Sequence, residues 1–392
     1  MGYSFDVEDV LFLRSTAGRE AVAELSGLPL TGKSRLTDVA AARRQVGDRF
    51  AAAALETAVL RRKAESKLDD SSGWLFTDSA LQQATASVVA RHRAQRLAGR
   101  DVHDVTCSIG ADLTAVAAVA NRSVGSDLDR VRLLMAQHNL AAAGREALLV
   151  EADALHPVTR DAVVVADPAR RDEGGRRRWN LADLVPPLDE LMAVHAGRDL
   201  VVKCAPGLDF AAVPDEVEAE VVSLGGQVRE AALWFGSLAD PTARRRATVL
   251  RTDGGAWSIT DAEPDDCPAE DVREWIVDPD GAVVRAGLVR HYAARHGLVQ
   301  LDPRIAYLTG DVPPPGVRAF RVLEHGRFNE KALRTLLRRH DVGRLEILVR
   351  GVDVDPDALR RRLKPKGTQE ASVVITRVGD QAMAYLCRAE RT

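Results

Sequence analysis

Aromatic residues make up only 4% of the 392 residues, and the four cysteines lie far apart, at positions 107, 204, 267 and 387. No C-x-x-C pair occurs, which excludes a disulfide framework or a zinc knuckle and leaves the thiols free, with no metal expected. Nowhere do about 18 apolar residues follow one another, so no membrane span is expected. The first residues, MGYSFDVEDV, carry early acids instead of a signal-type apolar run, which points to the cytoplasm.

An apolar share of 46% is ample for a large core and for two or three domains. The net charge is only −3, but its distribution is uneven. From Arg318 to Thr392 there are 17 Lys and Arg against 10 Asp and Glu; the preceding residues hold 37 against 47. A basic module on an acidic body points towards nucleic acid, although a solvated helix face has the same composition.

Residues 1–70, including RLTDVAAARRQVGDRFAAAALETAVLRRKAESKL, have apolar positions at helical spacing and predict a small helical domain. After the break DDSSGW, the stretch LQQATASVVARHRAQRLAG predicts a helix closing on Gly99. Short β-branched runs then alternate with helical patterns: VHDVTCS, VGSDL, ALLVEA, AVVVADP, DLVVKCAP, EAALWFG and ATVLR. Apolar strands separated by helices predict a doubly wound seven-stranded α/β domain of Rossmann-like type over 71–252, closed by an antiparallel hairpin. The acidic, proline-bearing residues 253–316 read as a connecting segment, and DVPPPG (Asp311 to Gly316) as a boundary. Residues 317–392 read strand, helix, strand, helix, strand, strand, a small α+β domain.

The first strand's loop is where an open α/β sheet holds its ligand. Here it reads DVTCSIGADL, Asp104 to Leu113, with a single glycine. A dinucleotide fingerprint would want glycines where Ser108, Gly110 and Leu113 stand, so a pyrophosphate clamp is poorly supported. S-adenosylmethionine has no pyrophosphate. It needs one close backbone approach, at Gly110, and separate acids for its ammonium and ribose. Asp104 ends the first strand, Asp127 the second, placed for two ribose hydroxyls, and Asp153 the third, placed for the adenine amine. Each aspartate alone reads equally as a helix cap, and Asp129 reads as just that.

The fourth strand runs into VVVADPARR, with Asp167 and Pro168 at its mouth. This resembles motif IV of class I S-adenosylmethionine-dependent methyltransferases, and DVTCSIGADL resembles their motif I with Ser108 in place of the first glycine. LFTDSALQQATASVVARHRA is similar to the helix that lies over the cofactor in RNA-modifying members. VVKCAPGLD, LDPRIAYLTGD and the basic tail resemble a bacterial methyltransferase family with a THUMP-like C-terminal domain. The resemblance implies S-adenosylmethionine as cofactor, touched by Gln83, Thr85, Asp104, Cys107, Ser108, Gly110, Asp127, Leu128, Asp153, Ala154 and Asp167. Asp167, Pro168, Arg170 and Lys203 would serve catalysis. It also implies RNA as substrate, met by Arg171, Trp179, Arg361, Arg362 and Lys364, the last three in the cationic run ALRRRLKPKG.

Arg170 stands where exocyclic-amine methyltransferases carry a stacking aromatic residue, which argues against that chemistry. D-P-A-R also resembles the D-P-P-R of RNA C5-uridine enzymes, and Cys204 falls at their nucleophile, where Lys203 and Arg170 would lower its pKa. The base those enzymes use has no counterpart in PTARRRATV, and Cys204 also reads as a small apolar strand end. The residues alone leave open a non-catalytic scaffold binding cofactor and RNA, or a small-molecule methyltransferase. They fit a monomer or weak homodimer.

Overall fold

The computed structural model describes residues 2–170, 184–207 and 209–391, and the chain forms two compact units, 1–224 with 229–241, and 225–228 with 242–392. The first unit opens with α1 (Val7–Arg14), α2 (Thr16–Ser26) and α3 (Arg35–Ala64), the last kinked where Gly47 adopts φ +75°. The expected single helix after DDSSGW is two, α4 (Asp78–Gln83) and α5 (Ser87–Gln95). Ala84 leaves the helical region at ψ 140°, so residues 84–86 run as an extended joint between them.

The α/β alternation follows: β1 (Asp101–Asp104), α6 (Ala111–Ala117), β2 (Arg122–Asp127), α7 (Arg130–Ala142), β3 (Leu148–Glu151) and β4 (Val163–Ala166). Two short strands, β5 (Ala169–Arg170) and β6 (Leu184–Val185), precede α8 (Leu188–Val194) and β7 (Leu200–Cys204). β8 (Glu218–Leu224) and β9 (Gln227–Phe235) complete the series. Strand order in this unit is β3-β2-β1-β4-β7-β9-β8, parallel from β3 to β7, with β9 antiparallel to β7. This is the seven-stranded doubly wound fold that the periodicity implied.

Because successive side chains alternate across a strand, β4 divides its valines between two cores. Val163 and Val165 join Val102, Val201 and Trp234, while Val164 and Ala166 join Leu188, Leu191 and Val202. Both faces are covered, which is why the central strands carry no polar alternation.

One strand lay hidden in the sequence. EAEVVSL reads as acidic, yet Glu218 and Glu220 are 1% exposed. Arg96 donates to Glu218 at 2.6 Å, His92 bonds Glu220 at 2.8 Å, and Trp234 donates to Glu220 at 3.0 Å. These partners let β8 bury its acids, and it takes the last place that ATVLR was expected to fill.

In the second unit ATVLR forms β10 (Arg245–Leu250), a hairpin with β11 (Ala256–Thr260). Then come β12 (Trp275–Val277), α9 (Gly281–Arg285), α10 (Val289–His296), β13 (Val299–Gln300) and β14 (Leu308–Gly310). The C-terminal elements are β15 (Arg318–Arg327), α11 (Glu330–Arg339), β16 (Val342–Arg350), α12 (Pro356–Leu363), β17 (Gln369–Val378) and β18 (Gln381–Arg391), in the expected order. The connecting segment corrects the sequence reading. β12, β13 and β14 share one sheet with the tail, in the order β13-β14-β12-β15-β18-β17-β16. Asp311 to Gly316 therefore links two strands of one sheet, β14 and β15. Helices α11 and α12 bury Leu333, Leu337 and Leu359 on one face of the sheet, while Leu301, Ile305 and Tyr307 pack with Phe320, Val374 and Tyr385 on the other. That second face needs cover, which is why the acidic segment folds back instead of spanning solvent.

Candidate active site

A cavity of about 680 Å³ opens at the carboxyl ends of β1, β4 and β7 and is lined by Asp104, Ser108, Asp127, Asp167, Lys203 and Glu230, among others. A larger one, about 1000 Å³, lies at the opposite strand ends around Asp101, Arg122 and Arg160, away from every acid singled out above. The first cavity is where the chemistry converges.

Its floor is the loop after β1. Gly110 turns at φ +79°, and a Cβ there would stand 3.2 Å from that of Ala136, so α7 leaves no room for a side chain. Ser108 is itself left-handed at φ 48°. Its N–H donates to Asp127 Oδ2 at 3.0 Å, and the N–H of Asp129 donates to Oδ1 at 2.8 Å. Two amides fix the Asp127 carboxylate, which keeps further lone pairs for a diol. Asp129 caps α7, accepting from the N–H groups of Val131 and Arg132, as the sequence suggested. Asp104 is 3% exposed and accepts one amide, that of Thr106, at 3.1 Å. Burial, reinforced by the nearby Asp112 and Asp167, pushes its acid up to about 7.

The wall is a charge network that sequence reasoning located only in part. Lys203 Nζ donates to Thr85 Oγ1 at 2.7 Å, to Asp112 Oδ2 at 3.2 Å, and to Asp167. Arg93 bridges Asp112, at 2.8 Å, and Glu230. Burial works against the charged form of both cations, yet the surrounding carboxylates win and hold Lys203 and Arg93 above their usual ranges. The same cations bring Asp112 down to about 2 despite its burial. Burial raises the Glu230 acid. Arg93 and Glu230 carry no local signal, since they lie 137 positions apart and meet only through the fold.

Asp167 is held by its own N–H, which donates to Thr106 Oγ1 at 2.7 Å, and by Lys203, with Pro168 buried behind it in the chain. Gln83 and Cys107 line the cavity. Cys107, though, packs its thiol among Leu113, Leu133 and Leu140, and burial raises its pKa. Thr85, 7% exposed, is not among the lining residues; its hydroxyl accepts from Lys203 and donates to Asp112 behind them. Leu128, Asp153 and Ala154 also lie outside the lining, at the mouths of β2 and β3; Leu128 is 68% exposed, and Asp153 accepts the N–H of Leu155 at 2.9 Å. Arg171 and Trp179 fall outside the described residues, as does the side chain of Arg170.

Of the two readings of Cys204, the surroundings favour the small apolar strand end, packed against the cluster of Val202 and Leu233. Burial, with Asp167 and Glu230 adding to it, pushes its thiol up to about 12. Lys203 aims its ammonium at Thr85 and two carboxylates, so it gives the thiol no activation. In the tail, Arg362 donates to both oxygens of Glu330 and Arg360 to Asp357, so part of the cationic run is neutralised in place. Arg360 to Arg362 end α12 itself, and only the residues from Lys364 on leave the helix.

The comparisons with known proteins bear on this geometry. The chain is 58% identical over 362 residues, 89% of its length and 100% of the relative's, to a protein named an uncharacterized S-adenosylmethionine-dependent methyltransferase in two strains of Mycobacterium tuberculosis, CDC 1551 and H37Rv. The chain belongs to the S-adenosylmethionine-dependent methyltransferases. S-adenosylmethionine is accordingly the cofactor of this methyltransferase. Residues 317–389 match the THUMP domain-like family, and 6–64 match a domain of unknown function. A crystal structure of a methyltransferase-designated protein from Porphyromonas gingivalis W83 shares the fold at a TM-score of 0.76, with 21% identity, over 98% of this chain and 99% of that one. No helix among the described residues is long and apolar enough to cross a membrane.

Proposed function

We propose that this methyltransferase modifies structured RNA, with the cofactor in the 680 Å³ cleft and the acceptor at Asp167 and Pro168. The residues fit the cofactor on their own chemistry. Gly110, packed against Ala136, turns the loop that brings Ser108 to the cleft, Asp104 offers a buried acid for an ammonium, and Asp127 a carboxylate oriented by two amides for a diol. Asp153 and Ala154, at the mouth of β3, would take the adenine edge. When bound, the cofactor supplies an electrophilic methyl group on a sulfonium.

The protein's part is positioning and proton management. Asp167, fixed by Thr106 and Lys203, accepts a hydrogen bond from the acceptor group and holds its proton. Lys203 stays charged and balances that carboxylate. The thiol of Cys204 takes no part in bond formation.

The observation carrying the RNA reading is the cationic helix face of the C-terminal sheet. Arg338, Arg361, Lys364 and Lys366 are exposed there, without ion-pair partners among the described residues. Dipole compensation at two helix ends needs fewer cations than this. The sequence resemblance adds Arg171 and Trp179 as further contacts to the RNA. Transfer of labelled methyl groups from the cofactor to RNA from cells lacking the gene tests the reading, with nucleoside mass spectrometry naming the target. Transfer to small molecules alone, unaffected by the charge of the tail, would remove the RNA reading and keep the enzyme.

A further inference from the structure

The helical N-terminal region shares its core with the cofactor loop. Leu13, Val22, Leu25 and Leu60 pack in one cluster with Leu75, Phe76, Met135 and Ile109, the last of these lying between Ser108 and Gly110. Three polar clasps fix the strip between them. Arg61 of α3 donates to the carbonyls of Gly73 and Trp74, both at 2.8 Å, and is buried enough for its pKa to fall to about 10. From the opposite side His138 of α7 bonds the Gly73 carbonyl at 2.9 Å. Lys67, just past α3, donates to the carbonyls of Leu81 and Gln82, at 2.9 and 2.8 Å, where α4 ends beside the cleft.

Asn139 ties these to the loop. It is 0% exposed, accepts the N–H of Leu75 at 2.7 Å, and donates to the carbonyls of Leu75 at 3.0 Å and Ile109 at 2.9 Å. One side-chain amide thereby spans the N-terminal strip, α7 and the cofactor loop. Buried backbone groups left unpaired are costly, so no apolar residue can stand in for it.

We propose that Asn139 is a positioning residue that ties the strip at Gly73 to Phe76, clasped by Arg61 of the helical region 6–64, to the cofactor loop at Ile109, making that region part of the cofactor-binding apparatus. The inference rests on the cofactor occupying the loop at Ser108 to Gly110. Cofactor binding then orders the helices as well as the loop, because both pull on the same strip.

The experiment measures S-adenosylhomocysteine affinity by calorimetry, turnover at saturating cofactor, and hydrogen exchange with and without S-adenosylhomocysteine, for the full chain and for Asn139→Ala, Asn139→Asp and Asp127→Ala. Asn139→Asp keeps the acceptor for Leu75 and loses both donors, so it serves if the alanine variant does not fold. Both Asn139 variants should bind about 10-fold more weakly, the loss of roughly one buried hydrogen-bonding group, with turnover at saturation within about 3-fold. In the wild type the ligand should slow exchange in α1 to α3 as well as in 104–113; in the Asn139 variants, at saturation, it should protect the loop alone. Wild-type affinity in the folded Asn139 variants, or equal protection of α1 to α3 with and without Asn139, overturns the proposal. If Asp127→Ala also binds as wild type, the placement of the cofactor fails instead.

Discussion

The cleft of the first unit and the helix face of the C-terminal sheet both concentrate charge, and they do so under opposite rules. In the cleft, Arg93, Asp112, Lys203 and Glu230 are brought together out of water beside the half-buried Asp167, and each is answered by a counter-charge. On the tail, Arg361, Lys364 and Lys366 stand in solvent with like-charged neighbours. Burial makes the first set interdependent and sharply placed, since an unanswered charge there costs several kcal/mol. Exposure makes the second set nearly independent and open to salt. The cleft can do chemistry at one atom, whereas the tail can only contribute affinity, one phosphate at a time.

The largest expected break of that contrast is Asp167→Ala, which should lower turnover by about 10² to 10⁴ if the carboxylate manages the acceptor's proton. Cofactor affinity should change far less. Equal losses in turnover and affinity would make Asp167 a cofactor ligand. Next comes Lys203→Met, which strips the shared cation from Asp112 and Asp167 and should cost about 3 kcal/mol in urea unfolding. A loss as small as that of an exposed ion pair, below about 1 kcal/mol, would show the network to be no more coupled than the tail.

The pH dependence of the cleft is sharper still as a probe. Asp104 titrates at about 7 when folded, against an ordinary value of 3.8. Between those values the folded chain retains a proton that the unfolded chain has released, so stability falls as pH rises through that window. Asp104→Asn should remove a slope on the order of 1 kcal/mol per pH unit. Cofactor affinity should rise over the same window in the wild type, because a bound ammonium favours the ionised acid, and should be flat in the variant. Asp112 acts oppositely: held at about 2, it contributes stability above its ordinary 3.8 that is lost as pH falls through about 2.

The smallest effect belongs to the tail. Arg361→Ala, Lys364→Ala and Lys366→Ala together should reduce the slope of log affinity against log salt by roughly 0.7 per lost contact on single-stranded RNA, and somewhat more on duplex. Arg362→Ala, whose guanidinium is engaged by Glu330, should change the slope less than any of them. Identical slopes in all variants would reduce the cationic run to a solvated helix end.

Much of this was legible in the residues because the signals are local. β-branched runs between helical patterns give a doubly wound sheet, Asp104, Asp127 and Asp167 sit at strand ends and Gly110 at the head of α6 by spacing alone, and Asp129 reads as a cap. What escaped the sequence depends on partners distant in the chain. Glu218 and Glu220 disguised β8 because burial of an acid is intelligible only beside Arg96 and Trp234. Cys204 looked open to activation because proximity in sequence to Lys203 says nothing of where the ammonium points.

By itself, then, the sequence determined the alternation of strands and helices from β1 to β7, the order of elements in the tail and which strand ends carry acids, since periodicity, caps and turns act over a few residues. Tertiary structure alone decided that residues 253–316 complete a sheet, that Lys203 serves three oxygens, and that Asn139 joins Leu75 to Ile109. Those outcomes depend on which groups must find partners once water is excluded, and spacing along the chain carries no record of that.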